Sequence, residues 1–146
     1  MTKYLKILLT GGTGQIGHEL KETLCPFGEI WAPNRGELDL TNLKSLRLKI
    51  ISYAPDIIIN AAAYTDVDAA EIQKDIARVI NAEAPRIMAE EASRLGIPMI
   101  QYSTDYVFDG MKKSPYFEQD CTNPLNVYGQ TKLLAENLIK ATHKQI

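Results

Sequence analysis

Tyr128 and Lys132, in the run VYGQTKLLAE, stand four residues apart and share one face of any helix formed there. A free phenol loses its proton near pH 10, so bringing it to neutrality takes about 3 pKa units, or about 4 kcal/mol. A cation about 4 Å away at an effective dielectric of about 20 supplies that much. Lys132 could therefore make Tyr128 a working acid and also hold the ribose of a nicotinamide. A lone YxxxK is equally a pattern of surface packing, so its meaning depends on company. In QYSTDYVFDG, Ser103 and Thr104 close an apolar run. Thr104 could donate to a substrate carbonyl oxygen while Tyr128 protonates it and hydride arrives from a nicotinamide. The alternative for Thr104 is a hydroxyl capping nearby backbone. Asn81 lies inside a helical stretch where Asn is a mediocre former, which marks either a backbone or water contact behind the lysine or a tolerated polar position.

A nucleotide site is suggested by LTGGTGQIG, where Gly11, Gly14 and Gly17 recur every three residues between a strand and a helix. One glycine allows the tight turn, one lets backbone approach a pyrophosphate, and one lets helix and strand pack closely. Gln15 and Ile16 open the helix whose N-terminus favours the anionic group, and they join the cofactor set. After the second strand, where an acid would bind a ribose 2′-hydroxyl, the chain reads WAPNRGELDL. Asn34 and Arg35 stand there instead, so NADPH is favoured over NADH, which is not excluded; the alternative for Arg35 is a solvated loop cation. Asp39 and Leu40 could border the adenine, with a helix-entry acid as the other reading of Asp39. Ala61, Ala62 and Ala63 leave room for a cofactor beside the third strand.

The elements that must position these residues alternate in type. Strands are expected at Leu5 to Leu9, Glu29 to Ala32, Asp56 to Asn60 and Pro98 to Ser103. Helices are expected from near Gly14, from near Asn42 with Thr41 as N-cap, from Gln73 to Leu95, and from Val127 toward His143. Ile76, Ile80, Ala84, Ile87, Met88, Ala92 and Leu95 form an apolar stripe on the third helix. Tyr106 to Asn126 reads as a long loop, which in compact domains is usually functional. The fold class is α/β, a Rossmann-like doubly wound parallel sheet, with the strand order 3-2-1-4-5-6 expected.

The chain has 146 residues, 45% of them hydrophobic, and a net charge of −2, which fits one domain and gives no basic field for nucleic acid or a membrane surface. The apolar runs are too short for a membrane helix, and no cleavable leader pattern precedes the first strand, so a cytoplasmic location is expected. Cys25 and Cys121 form no CxxC and read as reduced thiols; His18 and His143 are isolated.

The stretches LTGGTGQIG, ELDLTN, PDIIINAAAYTDVDAAE, QYSTDYVFDG and NPLNVYGQTKLLAE resemble, in order, the extended short-chain dehydrogenase/reductases, and among them the dTDP-4-dehydrorhamnose reductase family. The resemblance implies reduction of the 4-keto group of dTDP-4-dehydro-L-rhamnose to dTDP-L-rhamnose, a sugar for cell-surface polysaccharide. Thr104, Tyr128 and Lys132 match the family's catalytic Ser/Thr, Tyr and Lys. Related dehydratases carry Thr-Asp-Glu where this chain has Thr104, Asp105 and Tyr106, so reduction is expected rather than water elimination. The chain also resembles the regulatory subunit of methionine adenosyltransferase, which leaves a non-catalytic NADP-binding module as the alternative. Family members continue past the YxxxK helix into a smaller domain that holds the nucleotide-sugar and supplies most ligands of a Mg²⁺ at their dimer contact. Residues 1–146 are therefore expected to be the cofactor-binding domain, truncated before the substrate domain and inactive alone. No metal is expected, and surfaces left uncovered are expected to favour self-association.

Overall fold

The computed structural model describes residues 4–142; His143 lies outside them. Four parallel strands, β1 (Leu5–Thr10), β2 (Gly28–Trp31), β3 (Ile57–Asn60) and β4 (Met99–Gln101), lie in the order β2-β1-β3-β4. The helices are α1 (Gln15–Leu24), α2 (Leu43–Tyr53), α3 (Val67–Ile72), α4 (Lys74–Arg78), α5 (Ala84–Leu95) and α6 (Val127–Thr142). The sheet is Rossmann-like, but the third strand crosses to the far side of β1 instead of lying outside β2. Between β2 and α2 no strand is available, because side chains take the backbone N–H groups a ladder would need. Asn34 Oδ1 accepts from the N–H groups of Gly36 (2.8 Å) and Glu37 (3.1 Å), and Asp39 Oδ1 accepts from Thr41 N (2.9 Å). The order therefore reverses between β1 and β3, and the crevice beyond the strand ends at such a reversal is where open α/β sheets place ligands.

Alternation along the strands sorts the core into two layers. Leu8, Ile58 and Met99 are register neighbours, and all are buried against Leu46 and Ile50 of α2, Met88 and Ala92 of α5, and Ile139 of α6. The opposite row, Leu9, Ile59 and Ile100, meets Leu20 and Leu24 of α1 only at its β1 and β3 end. Ile100 is consequently 45% exposed. No helix among the described residues is long and apolar enough to cross a membrane.

Two helices depart from expectation, one at its cap and one in its interior. The N-cap of α2 is Asn42, whose Oδ1 accepts from Ser45 N at 3.0 Å, because the Thr41 hydroxyl is spent donating to Asp39 at 2.8 Å. The expected long third helix runs from Lys74 to Leu95 but changes pitch in its interior. A separate α3, capped by Asp66 Oδ1 accepting from Ala69 N (2.9 Å), precedes it, and Val79–Glu83 is π-helical, with Ala84 N donating to Val79 O. Pro85 explains the π turn: it has no N–H to give the Asn81 carbonyl four residues back, and its ring would crowd that carbonyl. The extra residue rotates α4 relative to α5. Ala84, Ile87, Met88 and Ala92 are buried as the stripe requires, but Ile76 is 41% exposed and Ala77 takes the buried position at 0%.

The rotation makes a specific expectation for urea unfolding. Ile76→Gln should cost less than about 1 kcal/mol, whereas Ala77→Leu, which overfills a closed position, should cost about 2 kcal/mol. The reverse ranking would mean that α4 keeps the phase of an unbroken helix.

Candidate active site

The turn after β1 is built without side chains because there is no space for them. A Cβ at Gly11, whose φ is +78°, would lie 2.5 Å from Ala62 N, and one at Gly17 would lie 2.1 Å from the Gly11 carbonyl oxygen. The turn is thus pressed between the exit of β3 and the first turn of α1. Gly14 donates its N–H to Gly11 O at 2.9 Å and forms the N-cap of α1, where no side chain caps the helix. That leaves the positive end of α1 open toward the crevice.

The crevice is a cavity of about 730 Å³. Gly11, Gly14, Gln15 and Ile16 form one wall, Arg35 and Leu40 come from the loop after β2, and Ala61, Ala62 and Ala63 follow β3. Gly17 packs beneath the turn and does not line the cavity. Asn34 and Asp39 do not line it either: both carboxamide and carboxylate are turned to their own loop, in the bonds that replace an outer strand. The Thr41 bonds, with Arg35 nearby, hold Asp39 below the usual carboxylate range. Sequence reasoning missed Thr10, Thr13, Pro33, Leu38, Tyr64, Thr65 and Ile80, which also line the cavity. Leu38 and Ile80 carry no local signal, but Tyr64 and Thr65 follow directly on the small-residue run.

Tyr128 and Lys132 project from α6, which is fixed at its start from two sides. Val127 N donates to Glu71 Oε1 of α3 (2.7 Å), and Gly129 N donates to Asn126 Oδ1 (2.8 Å). A Cβ at Gly129 would lie 2.2 Å from the Tyr106 carbonyl oxygen, so this glycine lets the Asp105–Val107 turn press against the helix. The Tyr106 ring then meets the Tyr128 ring edge-on, with centroids 5.5 Å apart. Among the described residues the Tyr128 hydroxyl has no hydrogen-bond partner. Tyr128 packs on the same small cluster, Ala70, Ala77 and Val127, as the cavity residue Tyr64. The Asn81 amide joins these parts: it accepts from Tyr64 N (2.7 Å) and donates to Tyr64 O (3.1 Å) and to Thr131 Oγ1 (3.0 Å). Asn81 is thus a backbone contact, buried beside the lysine's neighbour.

Thr104 is half-buried and its hydroxyl is engaged locally, accepting from Tyr106 N at 3.2 Å and donating to Asp105 Oδ1 at 3.3 Å. Ser103 Oγ donates to Glu136 Oε1 at 2.5 Å. The loop after the Asp105–Val107 turn is organised on Asp109, which accepts from Met111 N (3.0 Å), Tyr116 OH (3.0 Å) and Asn123 Nδ2 (3.1 Å), so its carboxyl is held low. Cys25 and Cys121 are free and exposed, and His18 is exposed on α1.

Lys132 is 3% exposed, and its Nζ donates to the Tyr102 carbonyl oxygen at 2.5 Å. Burial pushes its amine below the ordinary lysine range, and the Glu136 carboxylate one turn on opposes the shift. The same carbonyl accepts from Gln101 Nε2 (3.0 Å), Gln101 Oε1 accepts from Asn60 Nδ2 (2.8 Å), and Asn60 Oδ1 accepts from Thr10 Oγ1 (2.5 Å) and Ala62 N (3.2 Å). A continuous run of hydrogen bonds therefore leads from the cavity wall to the lysine.

A family model described as RmlD substrate binding domain matches residues 5–146. A dTDP-4-dehydrorhamnose reductase of Burkholderia thailandensis is 46% identical over 138 residues, covering 94% of this chain and 46% of the relative. One of Escherichia coli K12 is 43% identical over 140 residues, covering 93% and 47%. A solved dTDP-4-dehydrorhamnose reductase from Bacillus anthracis, in complex with NADP, superposes with a TM-score of 0.94 at 36% identity, covering 99% of this chain and 52% of that one. One from Clostridium acetobutylicum gives 0.92 at 41% identity, covering 96% and 50%. The chain spans about half the length of the relatives it matches.

The buried lysine has a consequence for stability. Its folded pKa lies below the 10.5 of an unperturbed lysine, so the folded state binds fewer protons than the unfolded state between the two values, and its charging cost is relieved as pH rises through that window. Lys132→Met is expected to be more stable than the parent at pH 7, by about 1 kcal/mol, in thermal melting. The margin should narrow as pH approaches 10.5. A margin that widens with pH contradicts this assignment.

Proposed function

Because this chain belongs to the RmlD substrate binding domain family, we propose that it is the cofactor-binding part of an NADPH-dependent reductase acting on the 4-keto group of dTDP-4-dehydro-L-rhamnose, which gives dTDP-L-rhamnose. The observation that carries the reading is the cavity at the β1/β3 reversal, with a glycine turn that admits no side chain and an uncapped helix end beside it. Those features fit a dinucleotide pyrophosphate, and Arg35 on the wall fits a 2′-phosphate. The relatives named above as dTDP-4-dehydrorhamnose reductases, one of them holding NADP, support the substrate and the cofactor. The reading assigns choice of the sugar nucleotide to the half of those relatives that this chain does not span, and a cytoplasmic location goes with it.

When bound, NADPH supplies the hydride. Tyr128 gives its proton to the oxygen of the ketone being reduced, from a hydroxyl not committed to any other group among the described residues. Thr104 donates to the same oxygen, because its present bond to Asp105, at 3.3 Å, is long and readily exchanged. Lys132 spends one N–H on the Tyr102 carbonyl and keeps two for ribose hydroxyls, and its charge stabilises the phenolate left on Tyr128. Asn34 and Asp39 serve this site by shaping the loop that presents Arg35 and Leu40. The open edge at β4 and the exposed Ile100 support self-association, for which sedimentation should find a mass that rises with concentration.

Calorimetric titration of the 146 residues should show NADPH binding more tightly than NADH, with little or no reduction of dTDP-4-dehydro-L-rhamnose. Arg35→Ala should weaken NADPH about tenfold and leave NADH nearly unchanged, the loss of one charge-assisted contact. Tyr128→Phe should bind NADPH as the parent does. Equal loss of both nucleotides in Arg35→Ala would move the 2′-phosphate elsewhere.

A further inference from the structure

Two amides stand between the cavity and Lys132, and their orientation is forced from both ends. Ala62 N–H is a donor only, so the Asn60 oxygen must face it and the Asn60 nitrogen must face Gln101, at 2.8 Å. The Tyr102 carbonyl is an acceptor only, so the Gln101 nitrogen must face it, at 3.0 Å. Gln101 fits between with its oxygen on Asn60 and its nitrogen on Tyr102. A reversed amide at either position would set donor against donor or oxygen against oxygen. Tyr102 lies just past the end of β4, and its own N–H reaches Asn60 O only at a long 3.3 Å. Its carbonyl belongs to the next peptide, the one leading to Ser103, and is held by Gln101 on one side and the Lys132 ammonium on the other.

We propose that Gln101 is a positioning residue for the reaction: through Asn60 it ties the carbonyl that anchors Lys132 to the cavity wall at Thr10 and Ala62. The lysine, carried on α6, and the nucleotide cavity, carried by β1 and β3, then share one rigid connection across the strand ends. Gln101 touches neither substrate nor cofactor in this role. The role rests on the reductase reading, while the link between Gln101 and Lys132 is testable without it.

The test is the rate at which Lys132 of the nucleotide-free protein is acetylated by acetic anhydride at fixed pH, read by mass spectrometry against the exposed lysines, together with NADPH titration. Gln101→Leu should speed Lys132 acetylation about fivefold and weaken NADPH by a similar factor, the equivalent of one neutral hydrogen bond. Leu46→Ala, which removes core packing but none of the amides' hydrogen bonds, should leave Lys132 acetylation at the parental rate. Equal speeding in Leu46→Ala would reduce Gln101 to a contributor to stability and overturn the proposal. Parental acetylation in Gln101→Leu would overturn it too, whatever NADPH does. Absence of NADPH binding by the parent would sink the reductase reading, and the reaction role with it, even where acetylation responds.

Discussion

The side-chain amide of Asn60 is the constraint on which the arrangement turns. It is fully buried where β3 leaves the sheet, and a polar group so placed is tolerable only with its partners made. Its oxygen receives Thr10 and Ala62, its nitrogen reaches Gln101, and each bond fixes the exit direction of a different part of the sheet. With β1, β3 and β4 held at one point, the Gly11 turn can lie against Ala61 and Ala62 at a separation that excludes a side chain. The cavity is what remains between chain segments diverging from that point.

Close approach of backbones is the second theme, and it appears at both halves of the site. Gly11 and Gly17 let β1, β3 and α1 meet at the cavity, and Gly129 lets the Asp105–Val107 turn meet α6. In each case the missing Cβ is replaced by a carbonyl or N–H of another element. Positions of this kind transmit displacement directly, because there is no flexible side chain between the parts. Asn81 does the equivalent work with polar groups, joining Tyr64 of the cavity to Thr131 next to the lysine.

Much of this was legible in the amino-acid order, and what was not has local physical causes. The four strands and the glycine turn follow from apolar runs and spacing that no tertiary contact overrides. Gln15, Ile16, Arg35 and Ala61 to Ala63 come to line the cavity because they flank strand ends. Asn34 and Asp39 occupy the same loop, but short acceptor side chains two and three residues before free N–H groups bond to their own backbone first. The π turn was hidden because an apolar stripe counts side chains and cannot register a carbonyl deprived of its donor by Pro85. Asn60 ended an apolar run and was read only for the small residues after it. Its role depends on Thr10 and Gln101, which no window of local sequence brings beside it.

The bonds that define the site are also far apart along the chain. Thr10 to Asn60 and Asn81 to Thr131 each span 50 residues, and Glu71 to Val127 spans 56. Contacts of such separation reward the chain only after large loops have closed, so they belong to the late part of folding. The helix that carries Tyr128 and Lys132 is the last element of the described chain to be synthesised, and the Glu71 carboxylate is solvated until Val127 N replaces water on it. A nascent chain can thus complete β1, α1 and β2 early, while the proton-transfer groups reach their places only when the final helix docks.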